Sequence, residues 1–324
     1  MKKRYLAAGT AFGAIGGAIA WKMITRPKEV RWETDAIHHA EHSQFVEVDG
    51  ATVHYQEFGE KHQPTLLFIH GYTASTHTWH LVAPAFAEHG FHIIAIDLLG
   101  FGYSDKPASF DYAITSHARI VSRFMNRLGI GRATIIGSSY GGAVASTVAL
   151  DYPEFVEKLI LVDAVCNDEV KQRSDVKLLI TSGLGELACP WLVDSKAFVR
   201  KRMRESMAPE NHHLITEESV EAIHRPLAAA DGHNSVLKTM RNWHAERIEH
   251  DAHLINQPTL IIWGEQDQTI PIHNGYKLQQ LILNSRMVVF PNCGHIPQVE
   301  RPDDFIDVAV EFCKAKKLKV AEVS

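Results

Sequence analysis

The stretch Ala133-Thr134-Ile135-Ile136-Gly137-Ser138-Ser139-Tyr140-Gly141-Gly142-Ala143-Val144-Ala145 constrains this chain more than any other. A β-branched apolar run breaks at glycine and resumes as small, helix-compatible residues. It reads as strand, sharp turn and helix, with Ser139 at the apex. A Gly-x-Ser-x-Gly carries glycine on both sides because its serine sits in a strained conformation, and a side chain at Gly137 or Gly141 would strike the neighbouring strand or helix. The helix that follows aims its N-terminus, a partial positive charge, at any oxyanion formed beside Ser139. Ser139 is thus a candidate nucleophile, and the bland alternative is a glycine-rich corner.

Composition sets the frame for that motif. The 324 residues are 45% hydrophobic and 22% charged, enough for one large domain with an insertion. A net charge of −5, without an extended basic block, excludes a duplex-sized footprint for nucleic acid. Cys166, Cys189, Cys293 and Cys313 show neither a Cys-x-x-Cys pair nor metal spacing and read as isolated thiols. Twenty histidines are many, but the pairs His38-His39 and His212-His213 lack partner ligands and read as solvated surface. No cofactor and no metal are expected. Nothing in the sequence sets the oligomeric state.

Lys2-Lys3-Arg4 precedes an uncharged run from Tyr5 to Trp21, followed by Lys22, Arg26 and Lys28. The run is longer than the ~7–15 residues of a usual signal core, so the expectation is a single N-terminal membrane helix. Gly9, Gly13 and Gly17 would give it a small-residue packing face. The alternative is an exported protein with a cleaved signal. Residues 27–44 read as a polar linker.

The folded part opens with Phe45–Val48 and Ala51–Gln56 around Asp49-Gly50, a hairpin signal. Continuous apolar runs follow at 65–69, 92–96, 133–136, 159–162 and 259–262, the pattern of parallel strands covered on both faces. Helical periodicity over 80–88, 117–128 and 141–152 separates them. The expected architecture is a doubly wound, mostly parallel α/β sheet.

Each strand end carries chemically useful residues, where an open α/β sheet places its ligand. After 65–69 comes His70-Gly71-Tyr72-Thr73, which offers the Tyr72 N–H as an oxyanion donor beside the Tyr140 N–H. The loop Asp97 to Pro107 reads as scaffold, with Asp97 and Ser104 bracing it. The strand at 259–262 runs towards Asp267, and Met287–Phe290 runs into Gly294-His295. Serine, acid and histidine therefore follow in the order Ser139, Asp267, His295, each after its own strand, with Glu265 and Asp163 as rival acids.

These residues resemble the α/β-hydrolase superfamily over about residues 45–317. Gly137-Ser138-Ser139-Tyr140-Gly141 is similar to its nucleophile elbow, His70-Gly71 to its oxyanion motif, Asp97 to Pro107 to its Asp-x-x-Gly-x-Gly-x-Ser loop, and Gly294-His295 with Glu300-Arg301-Pro302 to its histidine loop. The resemblance implies Ser139 as nucleophile, His295 as base and Asp267 as acid. Serine at the elbow argues against haloalkane dehalogenases and epoxide hydrolases, which carry aspartate there. His-Gly-Tyr-Thr is not the His-Gly-Gly-Gly of esterases with a wide oxyanion loop, so esters of bulky tertiary alcohols are not expected.

Between Val162 and Thr259 the chain makes an excursion longer than a crossover, expected to be a helical cap whose Leu179, Leu184, Leu187, Trp191, Leu192 and Trp243 line an apolar pocket or fix the cap to the core. Within it, five cations between Lys196 and Arg204 flank Val199, Met203 and Met207, so this segment either lies on an anionic membrane surface or is a basic helix facing the core. The expected division is residues 1–30 as anchor or signal, 31–164 and 253–324 as hydrolase core, and 165–252 as cap. The expected activity is hydrolysis of carboxylic esters with an apolar acyl group. A carbon–carbon hydrolase of ring-cleavage diketones and a ligand-binding receptor are the alternatives.

Overall fold

The structure, a computed structural model, describes residues 39–315 apart from 173–176, 178, 179, 181, 182 and 230. Strands β1 (Ser43–Val48) and β2 (Ala51–Phe58) form an antiparallel hairpin. Asp49 and Gly50 turn it with φ of 51° and 78°, the paired positive values that match strand twist. β2 then pairs antiparallel with β4 (His92–Ile96). From there the sheet is parallel through β3 (Thr65–Ile69), β5 (Ala133–Ser138), β6 (Val156–Val162), β7 (Thr259–Gly264) and β8 (Ser285–Phe290), in the order β1-β2-β4-β3-β5-β6-β7-β8.

Alternation along the strands builds two apolar layers. Leu67, Ile69, Ile94 and Ile135 face one side, against α2 (Ile114–Arg127) and α3 (Tyr140–Asp151). Leu66, Phe68, Ile93 and Ile136 face the other, with Phe86 of α1 (Ala83–Glu88) and Phe305 of a C-terminal helix, Pro302–Lys314. This is the doubly wound sheet expected from the apolar runs. The chain reverses its direction of winding at β3, so the ends of β3 and β5 flank the topological switch point.

Between β6 and β7 stands a helical insertion: α4 (Leu184–Val193), α5 (Lys196–Ser206), α6 (Glu217–Leu227), α7 (Gly232–Arg241) and α8 (Glu246–Asp251). In α5, Val199 and the following Met207 are buried, Met203 is half-buried, and four of the five cations pair with acids. Arg200 binds Glu217 through both carboxylate oxygens at 2.6 and 2.7 Å, Lys196 meets Glu221 at 2.5 Å, and Arg202 meets Glu205 at 2.7 Å. The apolar stripe therefore packs inward at Val199 and Met207 with acids beside most of the cations, which favours the basic helix facing the core over a membrane-surface contact.

Membrane localisation and a transmembrane helix are corrected. Among the described residues no helix is long and apolar enough to cross a membrane. The segment from Tyr5 to Trp21, on which both the anchor and the cleaved signal rested, lies outside the described residues. Alanine and glycine dominate that run and bring little apolar surface per turn.

α9 (His273–Leu281) precedes β8, and after β8 the chain turns through residues 291–296 into α10 (Pro297–Glu300) and α11 (Pro302–Lys314).

Candidate active site

Ser139 stands between β5 and α3 with φ 54° and ψ −119°, a conformation a non-glycine residue holds only when its surroundings force it. The forcing groups are visible. Ser139 N–H donates to Val162 O at 2.9 Å, and Ser139 O accepts from Gly142 at 2.9 Å and Val165 at 3.0 Å. A Cβ on Gly137 would collide with the Gly141 carbonyl, and one on Gly141 with the carbonyls of Ile69 and His70. Ser139 is 9% exposed.

Gly71, after β3, packs so closely that a Cβ there would lie 3.1 Å from Ser139 Cβ and 3.7 Å from its Oγ. The turn carrying Tyr72 is thus beside the serine, as the pairing of Ile69 with Gly137 requires. His70 holds this turn from beneath: its Nδ1–H donates to Gly71 O at 2.7 Å and its Nε2 accepts the Leu98 N–H at 3.0 Å. Burial lowers the His70 pKa against the pull of Asp97.

Asp97 and Ser104 brace the neighbouring loop as expected. Asp97 accepts from Thr76 N–H at 2.6 Å, Tyr103 N–H at 2.8 Å and His54 Nδ1 at 2.7 Å, while Ser104 Oγ donates to Asp97 O at 2.6 Å. Burial works to raise the Asp97 pKa, but His54 and these hydrogen bonds leave it below the ordinary value.

Asp267 and His295 meet across the ends of β7 and β8. His295 Nδ1–H donates to Asp267 Oδ2 at 2.7 Å, and both residues are buried. Asp267 Oδ1 accepts from Thr269 N–H at 2.7 Å and Ile270 N–H at 3.0 Å, which fixes the carboxylate. An imidazole so bound presents Nε2 as its basic nitrogen, the arrangement a general base requires. Of the rival acids, Glu265 is exposed. Asp163 is not separate from the pair: its carboxylate, that of Asp267 and the His295 ring place ligating atoms within 4.8 Å of one another. That is also the spacing of a metal cluster, but the Asp267–His295 hydrogen bond accounts for it.

Two sets of contacts could not be read from the sequence, although Glu300 and Trp243 stood out in it. Glu300 accepts from Gly294 N–H at 3.0 Å, Ala208 N–H at 2.9 Å and Asn211 Nδ2 at 2.8 Å, clamping the histidine loop to the segment after α5. His295 N–H also donates to Ser206 O at 2.6 Å. The other set forms an aromatic wall. Trp243 packs 5.5 Å from the Tyr72 ring and 4.8 Å from the Tyr140 ring, with Phe101 5.8 Å from Tyr72 and His117 5.8 Å from Tyr140. Burial, reinforced by His70, pushes the His117 pKa down to about 3, so this imidazole is neutral. Among the residues expected to line the pocket, Trp243 belongs to this wall, Trp191 is exposed and Leu192 is half-buried. Leu179 and the side chains of Leu184 and Leu187 lie outside the described residues.

Known proteins share this plan. The chain is 27% identical over 270 residues to the uncharacterized hydrolase YugF of Bacillus subtilis, covering 82% of this chain and 96% of that protein. It is 28% identical over 277 residues to the 2-hydroxy-6-oxo-6-(2'-aminophenyl)hexa-2,4-dienoic acid hydrolase of Metapseudomonas resinovorans, covering 83% and 89%. A solved membrane phospholipase A, described as a bacterial virulence factor, superposes with a TM-score of 0.71 at 25% identity, covering 96% of this chain and 98% of that one. Residues 64–181 and 220–302 match the family model described as alpha/beta hydrolase fold. A mostly parallel eight-stranded sheet, a strained serine between β5 and α3, and a matched family model over most of the chain lead to one assignment: this protein is a hydrolase of the α/β-hydrolase family.

Proposed function

We propose that the chain hydrolyses carboxylic esters through an acyl-enzyme, with Ser139 as nucleophile, His295 as general base and Asp267 as its acid partner. The observation that carries this reading is the buried Asp267–His295 hydrogen bond, formed at the same sheet end as the strained Ser139 turn. In the attack, Ser139 Oγ forms a bond to the acyl carbon and its proton passes to His295 Nε2. The proton then goes to the leaving alcohol, and water deacylates the serine by the reverse path. The backbone N–H groups of Tyr72 and Tyr140 are the proposed oxyanion donors, the second aided by the α3 N-terminus. No cofactor takes part in this scheme.

The aromatic wall supports an apolar acyl group. Trp243, Phe101 and a neutral His117 surround Tyr72 and Tyr140, which suits an uncharged chain better than a carboxylate. In this reading residues 165–252 act as a cap over a core formed by 31–164 and 253–324, and Trp243 brings the cap to the acyl site.

The second reading is carbon–carbon hydrolysis of a ring-cleavage diketone, favoured by the printed activity of the Metapseudomonas relative. Steady-state assays on p-nitrophenyl esters of increasing acyl length, paired with a dienoate diketone, separate the two. We expect higher kcat/KM on the esters, and a large preference for the diketone would overturn the ester reading.

A further inference from the structure

Asp163 ends the β6 edge of the site. It is fully buried with φ 44°, in the left-handed region. Its Oδ1 accepts the Gly264 N–H at 3.0 Å, while its buried Oδ2 has no hydrogen-bond partner among the described residues. Asp267 is the opposite case: both of its oxygens are engaged, by the Thr269 and Ile270 amides and by His295. Two carboxylates this close and out of water do not both stay charged. Three donors favour the anion at Asp267 and one favours it at Asp163, so the proton belongs on Asp163.

We propose that Asp163 is a positioning residue that stays protonated at neutral pH and donates its Oδ2–H to the Asp267 carboxylate. No bond is made or broken in this role. The donated hydrogen bond orients Asp267, lowers its basicity and leaves a single negative charge facing His295. Burial, and then the Asp267 charge, raises the Asp163 pKa well above the ordinary 3.8, with the Gly264 amide opposing. The titratable groups around it are Asp267 after β7, Cys293 and His295 after β8, and Glu300 of α10. Glu300 also raises it, and none of these neighbours except a protonated His295 would favour its ionisation.

The proposal rests on Asp267 and His295 acting as acid and base, so one readout is chosen that needs no turnover. Infrared difference spectra of wild type against Asp163→Asn at neutral pH should show a protonated carboxylic-acid C=O band that the variant loses. Absence of that band overturns the proposal whatever the fate of Ser139. Asparagine suits both the left-handed backbone and the donor role. The acid limb of kcat/KM on p-nitrophenyl acetate gives the second readout. Asp163→Asn should leave the limb in place. Asp163→Ala, which removes the donor and makes Asp267 more basic, should raise it by roughly 0.5–1 pH unit. An ionised Asp163 would instead make both variants move the limb down, because each removes a negative charge facing His295. A downward shift in both, or no shift in a folded Asp163→Ala, contradicts the proposal. Where the alanine variant does not fold, the infrared band and the asparagine limb decide.

Discussion

The strand ends around Ser139 and the helical insertion after β6 are held together by opposite means. At the strand ends, side chains are fixed by backbone amides in places closed to water: Asp267 by two, Asp97 by two, Glu300 by Gly294 and Ala208. In the insertion, α5 and α6 face each other through ion pairs in solvent, and Glu217, the partner of Arg200, is 81% exposed. Buried amide contacts are specific and costly to break, whereas exposed pairs contribute little. In the proposed mechanism the reacting groups are therefore placed by the core backbone, while the insertion relies more on its exposed pairs. The exception is the seam at residues 206–211, where Ser206 and Asn211 reach the histidine loop.

The largest test of this contrast is Gly264→Ala. A Cβ there would meet the Gly294 carbonyl, with backbone on both sides unable to yield. Denaturant unfolding should show a loss of about 2–4 kcal/mol, with kcat/KM falling as Asp267 and His295 separate. Wild-type stability in that variant would break the claim that the core backbone is unforgiving.

His117 sharpens the contrast along the pH axis. Its pKa is lowered from the ordinary 6.5 to about 3 by burial, so it contributes stability that is present above pH 6.5 and lost as the pH falls towards 3. His117→Leu removes that linkage. Between pH 7 and 4.5 the wild type should lose about 2 kcal/mol more than the variant, measured by urea titration at each pH. Equal losses would show that His117 is not held neutral by the fold.

The smallest effect is expected in the insertion. Arg200→Gln breaks an exposed bidentate pair and should cost at most about 1 kcal/mol. A loss as large as that of Gly264→Ala would erase the distinction between the two regions.

The sheet was legible because strands buried on both faces are written as unbroken β-branched runs, and β3, β4 and the start of β5 stand where those runs do. Helix starts were less so. The helix expected from His117 begins at Ile114, because Asp111 accepts from Ala113 N–H and Ser116 Oγ and starts the turn earlier. The helix expected from His80 begins at Ala83, where Pro84 sets the first turn after a 3₁₀ segment. Ser139, Asp267 and His295 could be named because each follows its own strand. The nearness of Asp163 to Asp267 could not be read, since it depends on the register that pairs Val162 with Ile262. The reach of Glu300 to Ala208 is equally hidden, because it crosses 92 residues of chain. The anchor expected from the uncharged run Tyr5 to Trp21 and its flanking cations finds no counterpart among the described residues, where no helix is long and apolar enough to cross a membrane.

The central claim is that Ser139 carries the acyl group. Intact-protein mass spectrometry after rapid quenching with p-nitrophenyl acetate, followed by peptide mapping, tests it directly. The account predicts one acetyl adduct on the peptide containing Ser139, absent in Ser139→Ala, whose turnover falls by several orders of magnitude while its unfolding curve is unchanged. An adduct on another residue, or wild-type turnover by Ser139→Ala, would contradict it.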